Sequence, residues 1–299
     1  MKTSKFFFAA MMVAAVAVGF TACEPKGNDP DDPFKPSGDG NGDGKDTTVV
    51  VGERDGSEAK PYIVQDLLDM KKNGTLPAKD SYKNPETKKE GWVEAYIVGS
   101  YNYDNDPKFV IGAANASSTS LLLADAADCT DTYAVASVKL QSGTVYQAQL
   151  NLVENAGVCG KKVKLHGCIE AYCGIGGVVA VDKAYLDGAE IKAKISESDF
   201  DLANALKPSQ AASDSYVNKE ITVVGFVTSD YKISQGQQTA WLADEAGAEK
   251  GVFEAYYCNV VDEVAKGAKV AVKGKVQKFE KAGNDPVYEI KNGIMMAIK

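Results

Sequence analysis

Histidine is the scarcest chemistry-bearing residue in this chain: of 299 residues, only His166 is one. A Ser-His-Asp or Cys-His system would have to use it. Yet His166 lies inside an alternating, strand-like run, and no G-x-S-x-G elbow occurs anywhere. A P-loop is also missing, and the "GIGG" at 174–177 has no helical pattern after it, so it reads as a hairpin turn. Acidic residues are plentiful, which leaves paired carboxylates with no specificity as a signal. The sequence therefore supplies no catalytic residue and no cofactor site, and the chain is expected not to be an enzyme.

Long apolar runs are missing too, except at the start. Lys2 and Lys5 precede an apolar stretch from Phe6 to Phe20, then Thr21, Ala22 and Cys23. The stretch is short for a membrane span and reads as an export signal. Small residues directly before a cysteine, with polar residues after it, resemble a bacterial lipoprotein signal. Phe20 stands where leucine is usual in that class. The resemblance implies that Cys23 is acylated and becomes the first mature residue, anchoring the chain to a bilayer without spanning it. Residues 1–22 are then the signal and 23–55 a disordered acidic tether, rich in Gly, Pro and Asp with no hydrophobic period. The run "EPKGNDPDD" resembles the acidic signals that send Bacteroidota lipoproteins to the cell surface. The expected location is the outer membrane, on the cell surface. Asp39, Asn41, Asp43 and Gly44 imitate a calcium loop, but Val50 occupies the position of the bidentate glutamate. That segment reads as a solvated linker.

The formal net charge is −8, and loss of the signal removes two lysines and no acid. Such a surface repels phosphate backbones, which weighs against nucleic acid as a partner. Besides Cys23 the chain has Cys129, Cys159, Cys168, Cys173 and Cys258, an odd set that cannot form a complete disulfide framework. Their spacing fits no close-paired zinc pattern. No metal site is expected, and a disulfide is expected to involve Cys173, or Cys159 with Cys129.

After the tether, Pro61 to Asn73 carries Ile63, Val64, Leu67 and Leu68 on one helical face, with Gly74 as a stop. Beyond it the pattern is β, and the order of elements repeats. "VVGFVTSDY" at 223–231 matches "VEAYIVGSY" at 93–101. The "LAD" at Leu242 matches the "LAD" at Leu123, and "AKVAVKGKVQKF" at 268–279 matches "KKVKLHGCIEAY" at 161–172. A short helix over "FDLANALKP", ended by Pro208, precedes the second copy. Gly167 and Gly274 sit in mid-strand, where small barrels bend. The fold class predicted is mainly β: tandem OB-fold-like barrels with short helical lead-in segments, after a signal peptide and disordered linker. The domains predicted are 56–190, a connector with a short helix at 191–215, and 216–299.

The segments "GSEAKPYIVQDLL", "EAYIVGSYN", "LLLADAAD" and "LNLVENAGVCGKKVKLHGCIEAYCGIGGVVAVDKAYLDG" resemble a family of uncharacterised OB-like domains in Bacteroidota lipoproteins. The resemblance covers most of 56–188 and implies fold and origin, with no chemistry attached.

Strand parity places Val163, Leu165, Gly167, Ile169 and Ala171 inward, and Lys162, Lys164, His166, Cys168, Glu170 and Tyr172 outward. His166 and Cys168 thus share an outer face whose counterparts in the second copy are Lys273 and Lys275. That pattern predicts a solvated face. Cys159 and Cys173 flank the strand, about 40 Å apart if it ran straight. OB barrels bind ligands on one face and its loops, and Tyr101, Tyr103, Tyr231 and Trp241 lie near the equivalent region, with core packing as their structural alternative. The function expected is a non-catalytic binding module for a glycan or a protein. A structural or adhesin-like spacer and single-stranded nucleic-acid binding are the alternatives.

Overall fold

The computed structural model describes residues 54–229, 234–280 and 282–299. The segments expected to be a signal and a tether lie outside the described residues but for the tether's last two, as do Cys23 and Tyr231. Among the described residues strand accounts for 39 % and helix for 14 %, arranged as two closed five-stranded barrels with a few short helices, so the mainly β class holds.

The first barrel is preceded by helix α1 (Val64–Lys72) and built from β1 (Glu90–Tyr101), β2 (Phe109–Ile111), β3 (Ser120–Ala124), β4 (Ala136–Lys139), helix α2 (Val145–Leu150), β5 (Lys162–Tyr172), β6 (Ile175–Leu186) and β7 (Ala189–Glu190). The ring runs β1–β3–β4–β6–β5 and closes where β5 pairs with β1, while β2 and β7 add at edges. Only the β4–β6 pair within it is parallel. This is the Greek-key connectivity of the OB fold. The second barrel has helix α3 (Pro208–Ala211), β8 (Glu220–Val227), β9 (Gln237–Ala243), β10 (Phe253–Asn259), β11 (Lys269–Phe279), β12 (Val287–Lys291) and β13 (Ile294–Ala297). Its ring has the same order. β12 and β13 act as one interrupted last strand, parallel to β10 and antiparallel to β11.

Each barrel has its own apolar core, filled by alternate residues of the strands. In β5 and β11 these are Val163, Leu165 and Ile169, and Val270, Val272 and Val276. Gly167 and Gly274 occupy equivalent inward positions. A Cβ on Gly167 would lie 2.7 Å from the Val179 carbonyl oxygen, and one on Gly274 would lie 2.6 Å from the Ile290 side chain. In both barrels the glycine lets the fourth strand bend against an irregularity in the last.

The internal repeat extends beyond the strands into the lead-in segments. Tyr62 donates its N–H to the Trp92 carbonyl (2.8 Å) and accepts from the Glu94 N–H (2.9 Å). Leu206 makes the same pair of bonds with Thr222 and Val224, both at 2.9 Å. The "LAD" aspartate then closes each lead-in. Asp125 accepts from the Val64 and Gln65 amides at 2.7 and 3.0 Å, and Asp244 accepts from the Ser209 amide and hydroxyl at 2.9 and 2.6 Å. The Val64, Gln65 and Ser209 amides are unsatisfied N–H groups of a helix start, held by a carboxylate at the residue just after β3 or β9.

One expected helix is displaced. Over "FDLANALKP" the chain forms only a single 3₁₀ turn, Leu202–Asn204, and Pro208 opens helix α3 where it was expected to end one. Proline suits a first helical position because the N–H it lacks would be unbonded there anyway. Helix α1 ends as expected, with Gly74 at φ +69°.

Both barrels lie within one compact unit. The Gly143 carbonyl, before α2, accepts from Gln237 Nε2 and Asn259 Nδ2, each at 2.9 Å.

Candidate functional site

The outer face of β1, β5 and β6 carries a cluster of interacting polar and aromatic side chains. Pairing puts Trp92 opposite His166 across β1 and β5, and His166 opposite Lys183 across β5 and β6. The Trp92 ring stands 5.1 Å from His166 and 5.9 Å from Tyr185. Two ammonium groups cap the aromatics: Lys164 lies 5.1 Å and Lys183 5.7 Å from the Trp92 ring centre. Trp92 is left only 8 % exposed. Each cation has an acidic or hydroxyl neighbour. Lys162 meets Glu94 at 2.6 Å, Lys164 meets Glu58 at 3.9 Å, and His166 Nδ1 meets Asp182 at 2.6 Å. The Tyr185 hydroxyl donates to Glu58 at 3.4 Å and holds the Lys183 ammonium above its ordinary value. Beside these groups runs a groove of about 320 Å³ lined by Glu58, Glu94, Lys162, Lys164, Tyr185 and Gly188. Its lining is charge-balanced and offers both donors and acceptors.

The expected solvated face of β5 is correct only for its first half. Lys162, Lys164 and His166 are exposed or half-buried, but Cys168 and Glu170 are buried at 6 % and 2 % exposure. The segment before β1 folds over them. Glu170 accepts from the Asp80 amide, the Ser81 hydroxyl and the Tyr82 amide, all at 3.0 Å. An outward carboxylate thus becomes the anchor of a covering turn, which strand parity alone could not reveal. Burial raises the Cys168 thiol above its ordinary value.

The disulfide expected among Cys129, Cys159 and Cys173 is not formed, and all three are free thiols. They sit in different places. Cys129 packs against a small apolar cluster outside the barrel, Cys159 against the first core, and Cys173 occupies the β5–β6 turn at φ +52° with Gly174 at φ +80°. Burial pushes the Cys173 thiol up to about 11.

Of the aromatic candidates, Tyr101, Tyr103 and Trp241 share no ring contact, and Tyr231 lies outside the described residues. Tyr101 packs on Phe109 at 5.3 Å, over the apolar cluster of Val98, Leu122, Ala124 and Val135. Tyr103 is 72 % exposed, with the Lys108 ammonium 4.4 Å from its ring centre. Trp241 is half-buried on the second barrel. Its register partner is Glu254 on β10, which in turn lies opposite Glu289 on β12, and Gln277 of β11 completes the row. Burial, and then the charge of Glu289, pushes the Glu254 carboxyl up to about 7. Burial raises Glu289 as well. Neither acid stood out in the sequence, because 35 residues separate them and only the parallel β10–β12 pairing makes them neighbours. Among the described residues no group of three or more His, Cys, Asp or Glu is placed to hold a metal ion.

No curated protein matches the chain. Solved structures are similar only weakly. A protein assigned as an aspartyl-tRNA synthetase from Leishmania major Friedlin shares 15 % identity over 36 % of this chain, with a TM-score of 0.23; the chain spans 24 % of its length. A p202 HIN1 structure in complex with 12-mer dsDNA shares 13 % identity over 74 % of this chain and 100 % of its own, with a TM-score of 0.21. The p204 HINb domain shares 10 % over 71 % and 98 %, with a TM-score of 0.22. Likenesses this weak bring no ligand and no activity to this chain. Residues 79–187, the span of the first barrel from its covering turn to the end of β6, match the family described as "Domain of unknown function (DUF6359)".

Proposed function

We propose that this chain is a non-catalytic binding module, held at the outer membrane and facing the cell surface through an acylated Cys23, whose first barrel takes a glycan. The observation that carries this reading is the charge-balanced groove beside Tyr185, lined by Glu58, Glu94, Lys162 and Lys164 and backed by Trp92. Sugar hydroxyls both donate and accept, so a lining of alternating ammonium and carboxylate groups suits them, and an aromatic ring supplies a face for their C–H surfaces. The absence of net positive charge in the groove, and the net charge of −8, weigh against a polyanionic nucleic-acid ligand. Acylation of Cys23 would leave the barrels outside the bilayer on the tether.

A glycan array followed by titration calorimetry on the mature chain tests this. Tyr185→Ala and Lys164→Ala should each weaken a bound glycan at least about tenfold, the loss of one or two good contacts. Tyr103→Ala, away from the groove, should leave affinity unchanged. Binding to no glycan, or equal binding by all variants, would overturn the reading. Capture of a protein on the same variants would move it to the other ligand class.

A further inference from the structure

The internal repeat extends to the groove: each lead-in segment, bonded to the first strand of its barrel, walls a cavity on the outer face. In the first barrel this is the groove of about 320 Å³. In the second it is a groove of about 420 Å³, whose lining includes Leu202, Leu206, Val224, Phe226, Lys269 and Ile298. The positions correspond. The Glu94 and Val224 amides each donate to the lead-in, to the Tyr62 and Leu206 carbonyls. The Asp187 amide donates to the Lys162 carbonyl at 2.8 Å, and the Ile298 amide to the Lys269 carbonyl at 2.9 Å. Glu58 and Leu202 each stand four residues before the bonded lead-in residue.

The chemistry at those positions does not correspond. Val224 stands where the first barrel has Glu94, and Leu202 where it has Glu58. The register that joins Lys164 to Tyr185 joins Ala271 to Met296. Of the four charged residues lining the first groove, only Lys162 has a charged counterpart, Lys269. Those four charges form two pairs, Lys162 with Glu94 at 2.6 Å and Lys164 with Glu58 at 3.9 Å. Lys183, just outside the lining, rests 5.5 Å from the Tyr185 ring centre and faces the charges of Glu58 and Glu190. An ammonium paired with one carboxylate keeps donors to spare, and the carboxylate keeps acceptors, so both can still bond hydroxyls. A ligand carboxylate fits less well. To reach a lysine it would have to displace Glu58 or Glu94 and then lie beside the displaced acid, a like-charge contact.

We infer, resting on the glycan reading above, that the first groove takes an uncharged glycan, one per chain, and that the pairs Lys162–Glu94 and Lys164–Glu58 turn acidic sugars away. The second groove has neither pair, and its apolar walls of Leu202, Leu206, Val224 and Phe226 offer sugar hydroxyls no partners, so the duplicated barrel does not duplicate the site.

The test is an array carrying each neutral oligosaccharide beside its uronate counterpart, followed by calorimetry of the mature chain with the tightest-binding sugar and that sugar's counterpart. The uncharged sugar should bind one per chain, at least about tenfold more tightly than its uronate, and change less than about twofold between low and high salt. Glu94→Gln frees Lys162, and Glu58→Gln frees Lys164. Either should bring the uronate to within about threefold of the neutral sugar and make uronate binding fall with added salt. Glu94→Asp should keep the parent's preference, as should Glu86→Gln, an exposed acid elsewhere. Phe226→Ala, in the second groove, should leave affinity and stoichiometry unchanged. If Glu94→Gln fails to fold, Glu58→Gln decides alone. A uronate bound as tightly as its neutral counterpart, two glycans per chain, or an unmoved preference in the folded glutamine variants would overturn this inference and leave a glycan module standing. Binding to no sugar at all would overturn the glycan reading, and this inference with it.

Discussion

Two carboxylates illustrate how differently one residue type behaves on these barrels. Glu170 is buried with three donors on it, so it stabilises the fold. Glu170→Ala should lower stability by about 3 kcal/mol, since the Asp80 and Tyr82 amides and the Ser81 hydroxyl lose their acceptor. Urea unfolding with tryptophan fluorescence measures the loss, and faster proteolysis within residues 77–89 would accompany it. Glu254 is the opposite case, because its environment favours the neutral form. Its carboxyl titrates at about 7 against an ordinary 4.5. Between those values the folded chain keeps a proton that the unfolded chain has released. The associated stability is therefore present below the lower value and is lost as pH rises through the higher one. Glu254→Gln should flatten this slope and stabilise the chain by about 1–2 kcal/mol at pH 8, after allowance for solvent screening of a half-buried group. Urea midpoints across that pH range check it, and a variant whose slope matched the parent would contradict it. Neither role was legible beforehand. Strand parity set Glu170 outside the barrel, but which outer positions are covered depends on chain segments distant in sequence.

At the scale of elements, the repeat is better preserved in hydrogen bonding than in residues. Val64 and Pro208 share no chemistry, yet each opens a helix whose start is held by the aspartate of an "LAD". Removing these carboxylates should cost about 1–2 kcal/mol each, in the range of a lost helix cap. Asp125→Ala should do so through α1, and Asp244→Ala through the four-residue α3. Hydrogen exchange should show the damage first at Val64 and Gln65 in one variant and at Ser209 in the other; global loss without local deprotection would argue against capping. The strands were legible from alternation, and so was helix α1, from its apolar face and Gly74. Pro208 was misread because proline ends or begins a helix depending on which side supplies the remaining hydrogen bonds. Here the second barrel, through Asp244, supplies the start.

For the whole molecule, the barrels are joined where Gly143 meets Gln237 and Asn259. Gly143 has φ +83°, and a Cβ there would lie 2.7 Å from the Asn292 side chain. Gly143→Ala should therefore cost about 1–2 kcal/mol in backbone strain alone and also loosen the junction. Calorimetry should show one melting transition dividing into two, one per barrel. A single, merely lowered transition would mean that the barrels are coupled by other contacts.

Period-two alternation and the paired "LAD" and mid-strand glycine signals were enough to determine two OB-like β-barrels. They were enough because alternation reports burial on one strand, and a repeated pattern reports a repeated fold. What the sequence could not hold is adjacency across strands. Trp92 with Tyr185, and Glu254 with Glu289, become neighbours only when the rings close with their particular register. Burial of an outward Glu170 likewise follows only once the preceding segment folds over it. Candidate sites on these barrels are made of such neighbours, so the tertiary structure, through strand pairing and covering turns, decided where a ligand could be held.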